Sequence, residues 1–159
     1  ASDGEGITIL PDLSRSCPAV DPDDHHVLRL IDFFYCKEHL FIVSELLKEN
    51  LYEFGRFIRE SNNEPYYTMP RLKRIMKQVL EALVFIHSLK LIHCDIKPEN
   101  IVIKSFSRCE VKLIDFGSSC FTTDHLTTYI QSRSYRYAPL LSHSLINISH
   151  YSYQILIFL

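Results

Sequence analysis

The chain has 159 residues, enough to bury one hydrophobic core and short for two average domains. Its 47% hydrophobic and 23% charged residues are typical of globular proteins and argue against a disordered chain. The formal charge of −2 and the lack of a Lys/Arg tract argue against nucleic acid as a partner. The longest apolar run, ILIFL, is too short to cross a bilayer, so we predict no membrane partner.

The number and spacing of the cysteines indicate the redox state of the cellular compartment. The five cysteines are odd in number and widely scattered, and no two form a CxxC pair. This pattern predicts free thiols in a reducing compartment, the cytoplasm or the nucleus. The positions are Cys17, Cys36, Cys94, Cys109 and Cys120.

The first half of the chain predicts irregular structure followed by a hairpin. Residues 1–20 lack a sustained period, although residues 7–10 could form a short strand. VLRLIDFFYC at 27–36 and HLFIVSELL at 39–47 are aromatic and β-branched runs separated by Lys37 and Glu38. Such runs around a short polar turn indicate a β-hairpin.

Two helices should follow. Asn50 is a suitable N-cap for a helix over 51–60, and a second, longer helix should begin near Pro70. Apolar positions of the second helix recur at spacings of three and four, which predicts one buried face, with the polar positions, Gln78 among them, lying mostly elsewhere. The predicted face contains Leu72, Ile75, Met76, Val79, Leu83, Ile86 and His87. IVI at 101–103 and VKLI at 111–114 should then form two strands around a polar turn.

The segment HCDIKPEN at 93–100 carries the chemistry. Asp95, Lys97 and Asn100 can present a carboxylate, an ammonium and an amide oxygen from a single loop. A carboxylate can accept or orient the proton of an attacking hydroxyl, and an ammonium can neutralise a moving phosphoryl group. Asn100, together with Asp115 of the DFG segment, offers the hard oxygen ligands that Mg²⁺ prefers. His93 is predicted to pack within the loop, because a single histidine outside a metal cluster is usually structural.

HCDIKPEN followed by DFG resembles the catalytic and metal-binding loops of eukaryotic protein kinases. Three features narrow the resemblance to the dual-specificity tyrosine-regulated (DYRK) kinases of the CMGC group and point to their plant branch: HCD in place of HRD, DFGSSC, and YIQSRSYR at 129–136. The resemblance implies an α+β fold: a partial kinase domain with the end of the N-lobe sheet, the hinge and the first half of the helical C-lobe. We place this domain at 21–139, with an irregular non-kinase segment at 1–20 and a non-family tail at 140–159.

The resemblance also assigns roles. It implies phosphoryl transfer from Mg-ATP to protein Ser and Thr hydroxyls, with autophosphorylation of tyrosine, so protein substrates and ATP are the expected partners. Asp95 would be the catalytic base, Lys97 the phosphate partner, and Asn100 and Asp115 the Mg²⁺ ligands. The hinge backbone of Glu45 and Leu47 would bind adenine. Three residues of the activation loop would be regulatory. Tyr129 would be phosphorylated, and its phosphate would pair with Arg133 and Arg136.

Other kinase features are missing from this sequence. No lysine precedes Lys37, and the only upstream glycines, Gly4 and Gly6, do not continue into a GxGxxG pattern. Residues 140–159 hold no charged residue, Gly or Pro, which suggests a truncated or altered gene product. We therefore expect little or no kinase activity from this polypeptide alone. The alternatives are a pseudokinase-like interaction fragment, an unstable truncated product and a nucleotide-binding module without transfer; the sequence leaves the oligomeric state open.

Overall fold

The computed structural model describes residues 25–61 and 64–124. The predicted strand at 7–10, the domain boundaries near residues 20 and 139, Cys17, Tyr129, Arg133 and Arg136 lie outside these residues.

The predicted first hairpin is confirmed. β1 (Leu30–Cys36) pairs antiparallel with β2 (His39–Ser44), and Phe34 stacks on Phe41 directly across the pair at 5.2 Å between ring centroids. Lys37 and Glu38 form the turn with φ of 47° and 64°. Positive φ at both central residues is what a tight two-residue hairpin turn needs to match the twist of its strands.

Both predicted helices are present. α1 (Leu51–Glu60) begins at Asn50, whose side chain accepts a hydrogen bond from the Glu53 backbone N–H at 2.8 Å. This satisfies one of the N–H groups that a helix start leaves unpaired. α2 (Met69–Ser88) buries Ile75, Val79, Leu83 and Ile86 as predicted.

The prediction for Gln78 is wrong, because this side chain belongs to the buried face of α2. Its amide nitrogen donates to the Cys109 carbonyl at 2.8 Å, and its amide oxygen accepts from the Val111 N–H at 3.1 Å. A buried amide is acceptable where backbone groups satisfy it. Gln78 therefore joins α2 to the strands that follow.

The second half of the described chain forms short strands around the loop of interest. β3 (Leu91–Ile92) pairs with β6 (Cys120–Phe121), and β4 (Ile101–Ser105) pairs with β5 (Glu110–Leu113), both antiparallel. A 3₁₀ turn, Pro98–Asn100, leads into β4. The core lies between α2 and the β4–β5 pair, with Leu51 from α1. Two-stranded sheets and helices give the described residues the predicted α+β class.

Within the described ranges, no helix combines the length and apolar character needed to span a bilayer.

Candidate active site

The loop between β3 and β4 places the predicted catalytic pair in direct contact. Lys97 Nζ donates to Asp95 Oδ2 at 2.7 Å, and the Asp95 and Lys97 side chains keep only 12% and 20% of their surface exposed. The hydrogen bond to Asp95 is the main cause of a raised pKa at Lys97. The ammonium is therefore charged at neutral pH and is held beside the carboxylate.

Asn100 completes the loop from its other end. Its amide nitrogen donates to the Asp95 carbonyl at 2.8 Å and to Asp95 Oδ2 at 3.2 Å. Because the nitrogen is committed to Asp95, the amide oxygen is the Asn100 atom that suits a cation. Asn100 is 5% exposed, so its orientation is fixed by its surroundings.

Asp115 follows β5 and lies next to this loop. The Ile114 N–H donates to the Asn100 carbonyl at 3.0 Å, which brings the two predicted metal ligands onto adjoining backbone. Asp115 has φ of 63°, in the left-handed region that L-residues adopt rarely. Its Oδ1 accepts the Gly117 N–H at 3.2 Å, and its charge also raises the pKa of Lys97. The structure thus places Asp95, Lys97 and Asn100 in contact and Asp115 on the backbone next to them, and the roles assigned to the four residues stay predictions.

His93 is buried behind this loop and connects it to Ile114. It is 1% exposed, its Nε2 lies 2.9 Å from the Ile114 carbonyl, and the Asp95 N–H donates to its Nδ1 at 3.2 Å. These partners fix the neutral tautomer that carries its proton on Nε2. Burial lowers the pKa of His93 and so favours the same neutral form. The predicted packing role of His93 is confirmed.

Cys94 occupies the position before Asp95 and contacts the segment after Gly117. Its Sγ lies 3.4 Å from Cys120 Sγ and donates to the Ile92 carbonyl at 3.6 Å. Cys94 also has a positive φ of 65°. All four described cysteines are free thiols, as predicted.

The hinge residues lie at the end of β2. Leu46 is 98% exposed, and within the described residues the Leu47 backbone N–H and carbonyl have no backbone partner. Among the described residues, the Glu45 carbonyl accepts only a long bond from the Ser44 hydroxyl, at 3.4 Å. These backbone groups could therefore bond an adenine edge.

The sequence reasoning missed one buried residue beside the hinge. Lys112 on β5 is 1% exposed, and its ammonium bonds the Glu45 carboxylate, whose side chain is 10% exposed. A lysine inside the apolar strand VKLI was the available signal, because a buried lysine must have a partner.

Comparison with known proteins identifies the family. A family profile described as the protein kinase domain matches residues 20–157. The chain belongs to the protein kinase family. The match reaches past residue 139, and the boundary that the sequence suggests there stays a prediction.

The kinase relatives agree with the narrower resemblance. The chain is 43% identical over 122 residues to the probable serine/threonine-protein kinase yakA of Dictyostelium discoideum, covering 76% of this chain and 8% of that protein. It is 43% identical over 118 residues to the dual specificity protein kinase YAK1 of Saccharomyces cerevisiae, covering 74% and 14%. It is 43% identical over 112 residues to the dual specificity tyrosine-phosphorylation-regulated kinase 4 of Homo sapiens, covering 70% and 21%. The DYRK resemblance is confirmed, and the plant branch stays a prediction.

Kinases of this family generally use ATP and Mg²⁺, and the residues present fit these groups. Among the described residues no three His, Cys, Asp or Glu side chains cluster as a metal site. Mg²⁺ does not need such a cluster, since it usually binds one or two protein oxygens together with substrate phosphates and water. An amide oxygen at Asn100 and a carboxylate at Asp115 suit this mode.

Proposed function

We propose that this kinase chain carries the catalytic-loop half of a site that transfers the γ-phosphoryl group of Mg-ATP to Ser, Thr or Tyr hydroxyls of proteins. The observation that carries the proposal is the bonded set Asp95, Lys97 and Asn100 with the Asp115 backbone joined to it through Ile114. Positioning and electrostatic stabilisation are nearly all that phosphoryl transfer takes from a protein. Asp95, Lys97, Asn100 and Asp115 can supply positioning and electrostatic stabilisation to one face of a bound nucleotide.

Each residue has a definite task in this proposal. Asp95 orients the incoming hydroxyl and accepts its proton. Lys97, kept charged beside Asp95, faces the negative charge that develops on the transferred group. Asn100 and Asp115 would hold Mg²⁺, which neutralises phosphate charge when bound. The backbone of Glu45 and Leu47 would bind the adenine, and outside the described residues we assign Tyr129, Arg133 and Arg136 to regulation by phosphorylation.

We also propose that the 159-residue polypeptide alone transfers phosphate poorly. Its sequence contains no lysine before Lys37 to engage the α- and β-phosphates and no Gly-rich loop pattern to cover them. The chain spans 8–21% of the length of the three relatives named above, so the activity and substrates of a whole protein remain proposals. We infer a reducing compartment, the cytoplasm or the nucleus, from the five scattered cysteines without a CxxC pair.

A nucleotide-binding module without transfer is the second candidate. The hinge backbone, Asn100 and Asp115 favour it, because they supply adenine and metal contacts independently of the missing lysine and Gly-rich loop. This candidate predicts affinity for Mg-ATP with no turnover.

Thermal unfolding with and without Mg-ATP tests both candidates. A ligand that binds the native state must raise the transition temperature, so we expect Mg-ATP to raise it by several degrees. Asp115→Ala should abolish that shift, whereas the matched variant Asp32→Ala, at an exposed carboxylate on β1, should keep it. A transition indifferent to Mg-ATP would contradict both candidates.

Transfer of radiolabelled phosphate to a generic protein substrate then separates the two. Weak transfer that Asp95→Asn removes, with the thermal shift retained, would support the kinase proposal. A full thermal shift with no transfer above the Asp95→Asn background would support the nucleotide-binding module.

A further inference from the structure

The hinge of this chain is tied to the strand that leads into Asp115 by a buried ion pair. The Lys112 ammonium on β5 bonds the Glu45 carboxylate, and the two side chains are 1% and 10% exposed. Lys112 lies three positions before the predicted metal ligand, and Glu45 is the first predicted adenine-binding residue. The pair therefore connects the two places where a nucleotide would be held.

Glu45 is fixed on the side of the hinge that faces the protein interior. Its carboxylate also accepts the Arg29 N–H at 2.8 Å, and its own N–H donates to the Arg29 carbonyl at 3.2 Å. The segment before Arg29 is bonded to β5 in turn, through Leu28 N–H to the Leu113 carbonyl at 3.0 Å. Side chain and backbone of Glu45 are thus anchored to the same strand by two routes.

The other end of the hinge is anchored as well. The Lys48 N–H donates to the Ile103 carbonyl at 2.9 Å, and the Ile103 N–H donates to the Glu49 carbonyl at 3.0 Å. Between these two anchors only Leu46 and Leu47 span the gap, and their backbone is the part left to bond a ligand. A displacement of Glu45 would therefore also displace the backbone of Leu46 and Leu47.

Burial of this pair is difficult to explain by stability alone. A buried ion pair seldom adds to stability relative to apolar residues of similar size, because desolvation of two charges offsets their attraction. In some proteins, buried polar or charged groups instead serve to fix a unique geometry. We propose that Lys112 is a positioning residue: through Glu45 it sets the hinge backbone at the height and orientation that an adenine needs relative to Asp115.

This inference rests on the proposed nucleotide site, and the double variant Glu45→Gln/Lys112→Met tests it. The variant removes both buried charges, while the amide oxygen of the introduced glutamine can still accept the Arg29 N–H. We expect it to unfold at a temperature close to that of the unaltered chain. Its affinity for adenosine, measured by calorimetry, should fall about tenfold or more, a change that corresponds to about 1.4 kcal/mol of binding free energy. Adenosine is the probe because it lacks phosphates and reports the hinge alone.

Hydrogen exchange supplies a second readout that needs no ligand. The amides of Arg29 and of position 45, which are hydrogen-bonded at this anchor, should exchange faster in the double variant, while amides of α2 keep their protection. The matched control is Arg108→Met/Glu110→Gln, which removes a partly exposed ion pair, 3.0 Å between Arg108 Nε and Glu110 Oε1, on the same β4–β5 hairpin. This control should change neither the adenosine affinity nor the hinge exchange.

The outcomes separate this inference from the proposed function. Unchanged affinity and unchanged hinge exchange in a folded double variant would overturn the positioning role. Faster hinge exchange, with no adenosine binding even by the unaltered chain, would overturn the nucleotide site and support the anchoring of the hinge. If the neutral pair does not fold, Glu45→Asp keeps both charges but shortens the link by one methylene. This variant should also weaken adenosine binding, and full affinity would contradict the positioning role.

Discussion

At the scale of single residues, Cys94 has an unusual environment beside Asp95, the proposed catalytic base. Burial, and next the hydrogen bond with Cys120, raise the pKa of the Cys94 thiol to about 12. Because the thiolate is the nucleophile, we expect iodoacetamide near neutral pH to modify the exposed Cys36 about tenfold faster than Cys94, or more. Peptide mass mapping of timed samples measures both rates. In urea the two rates should converge, and equal rates in the folded chain would contradict the environment described for Cys94.

His93 should give stability a pH dependence. Burial lowers its pKa from the ordinary 6.5 in the folded chain. As the pH falls through about 6.5, the unfolded chain gains a proton at His93 while the folded chain does not, so the free energy of unfolding decreases. Burial lowers the pKa of His26 and His87 too, which adds to the same trend.

Urea unfolding at about pH 7.5 and about pH 5.5 measures this trend for His93. His93→Gln should be less stable overall, but should lose less stability between the two pH values than the unaltered chain. An identical pH dependence in His93→Gln and the unaltered chain would show that His93 does not titrate as its burial requires.

Site residues were predictable from sequence where their partners are close along the chain. Asp95, Lys97 and Asn100 lie on one loop, so their spacing alone brings them together. Lys112 and Glu45 are 67 positions apart, and no local pattern links a strand lysine to a hinge glutamate. Their pairing follows only from the packing of β5 against the hinge.

At the scale of elements, features set by neighbouring residues were predictable from the sequence, whereas features set by tertiary contacts were not. The Asn50 cap and the turn at Lys37 and Glu38 are set by neighbouring residues, and both agree with the prediction. Gln78 was misassigned because helical periodicity ranks an amide as polar and therefore exposed. Its partners are backbone groups of the β4–β5 hairpin, more than 30 positions away, which the helix pattern does not reveal.

Gln78 should therefore matter for stability more than its polar character suggests. Gln78→Leu would leave the Cys109 carbonyl and the Val111 N–H buried without their partner. An unsatisfied buried group costs about 1–3 kcal/mol, so we expect a loss of about 3 kcal/mol in the free energy of unfolding, measured in urea. Lys77→Leu is the control, because its side chain on the same helix is 76% exposed and should change stability by only about 0.5 kcal/mol. Equal effects of the two substitutions would contradict the proposal that Gln78 stabilises the contact between α2 and the β4–β5 hairpin.

At the scale of the whole molecule, the core and the first hairpin are separate features. Within the described ranges, the buried core contains residues from α1, α2 and the β4–β5 pair, but no residue of β1 or β2. Hydrogen bonds between Arg29 and Glu45 join the two ends of the hairpin, and these ends are linked to β5 by the Lys112–Glu45 ion pair and by the bond from the Leu28 N–H to the Leu113 carbonyl. Large apolar side chains of the hairpin are therefore exposed: Ile31, Phe33, Phe34, Tyr35, Phe41, Ile42 and Val43.

An exposed apolar hairpin of this size should promote association between copies of the chain. Contiguous apolar patches and open strand edges favour contacts with other chains. We expect the weight-average mass in sedimentation velocity to rise with concentration, and Ile42→Lys, at a side chain 63% exposed opposite Phe33, to reduce that rise. Leu46→Lys is the matched control, because Leu46 is 98% exposed but lies outside the paired strands. A chain that stays monomeric at all concentrations, or an equal effect of both substitutions, would show that the hairpin does not drive association.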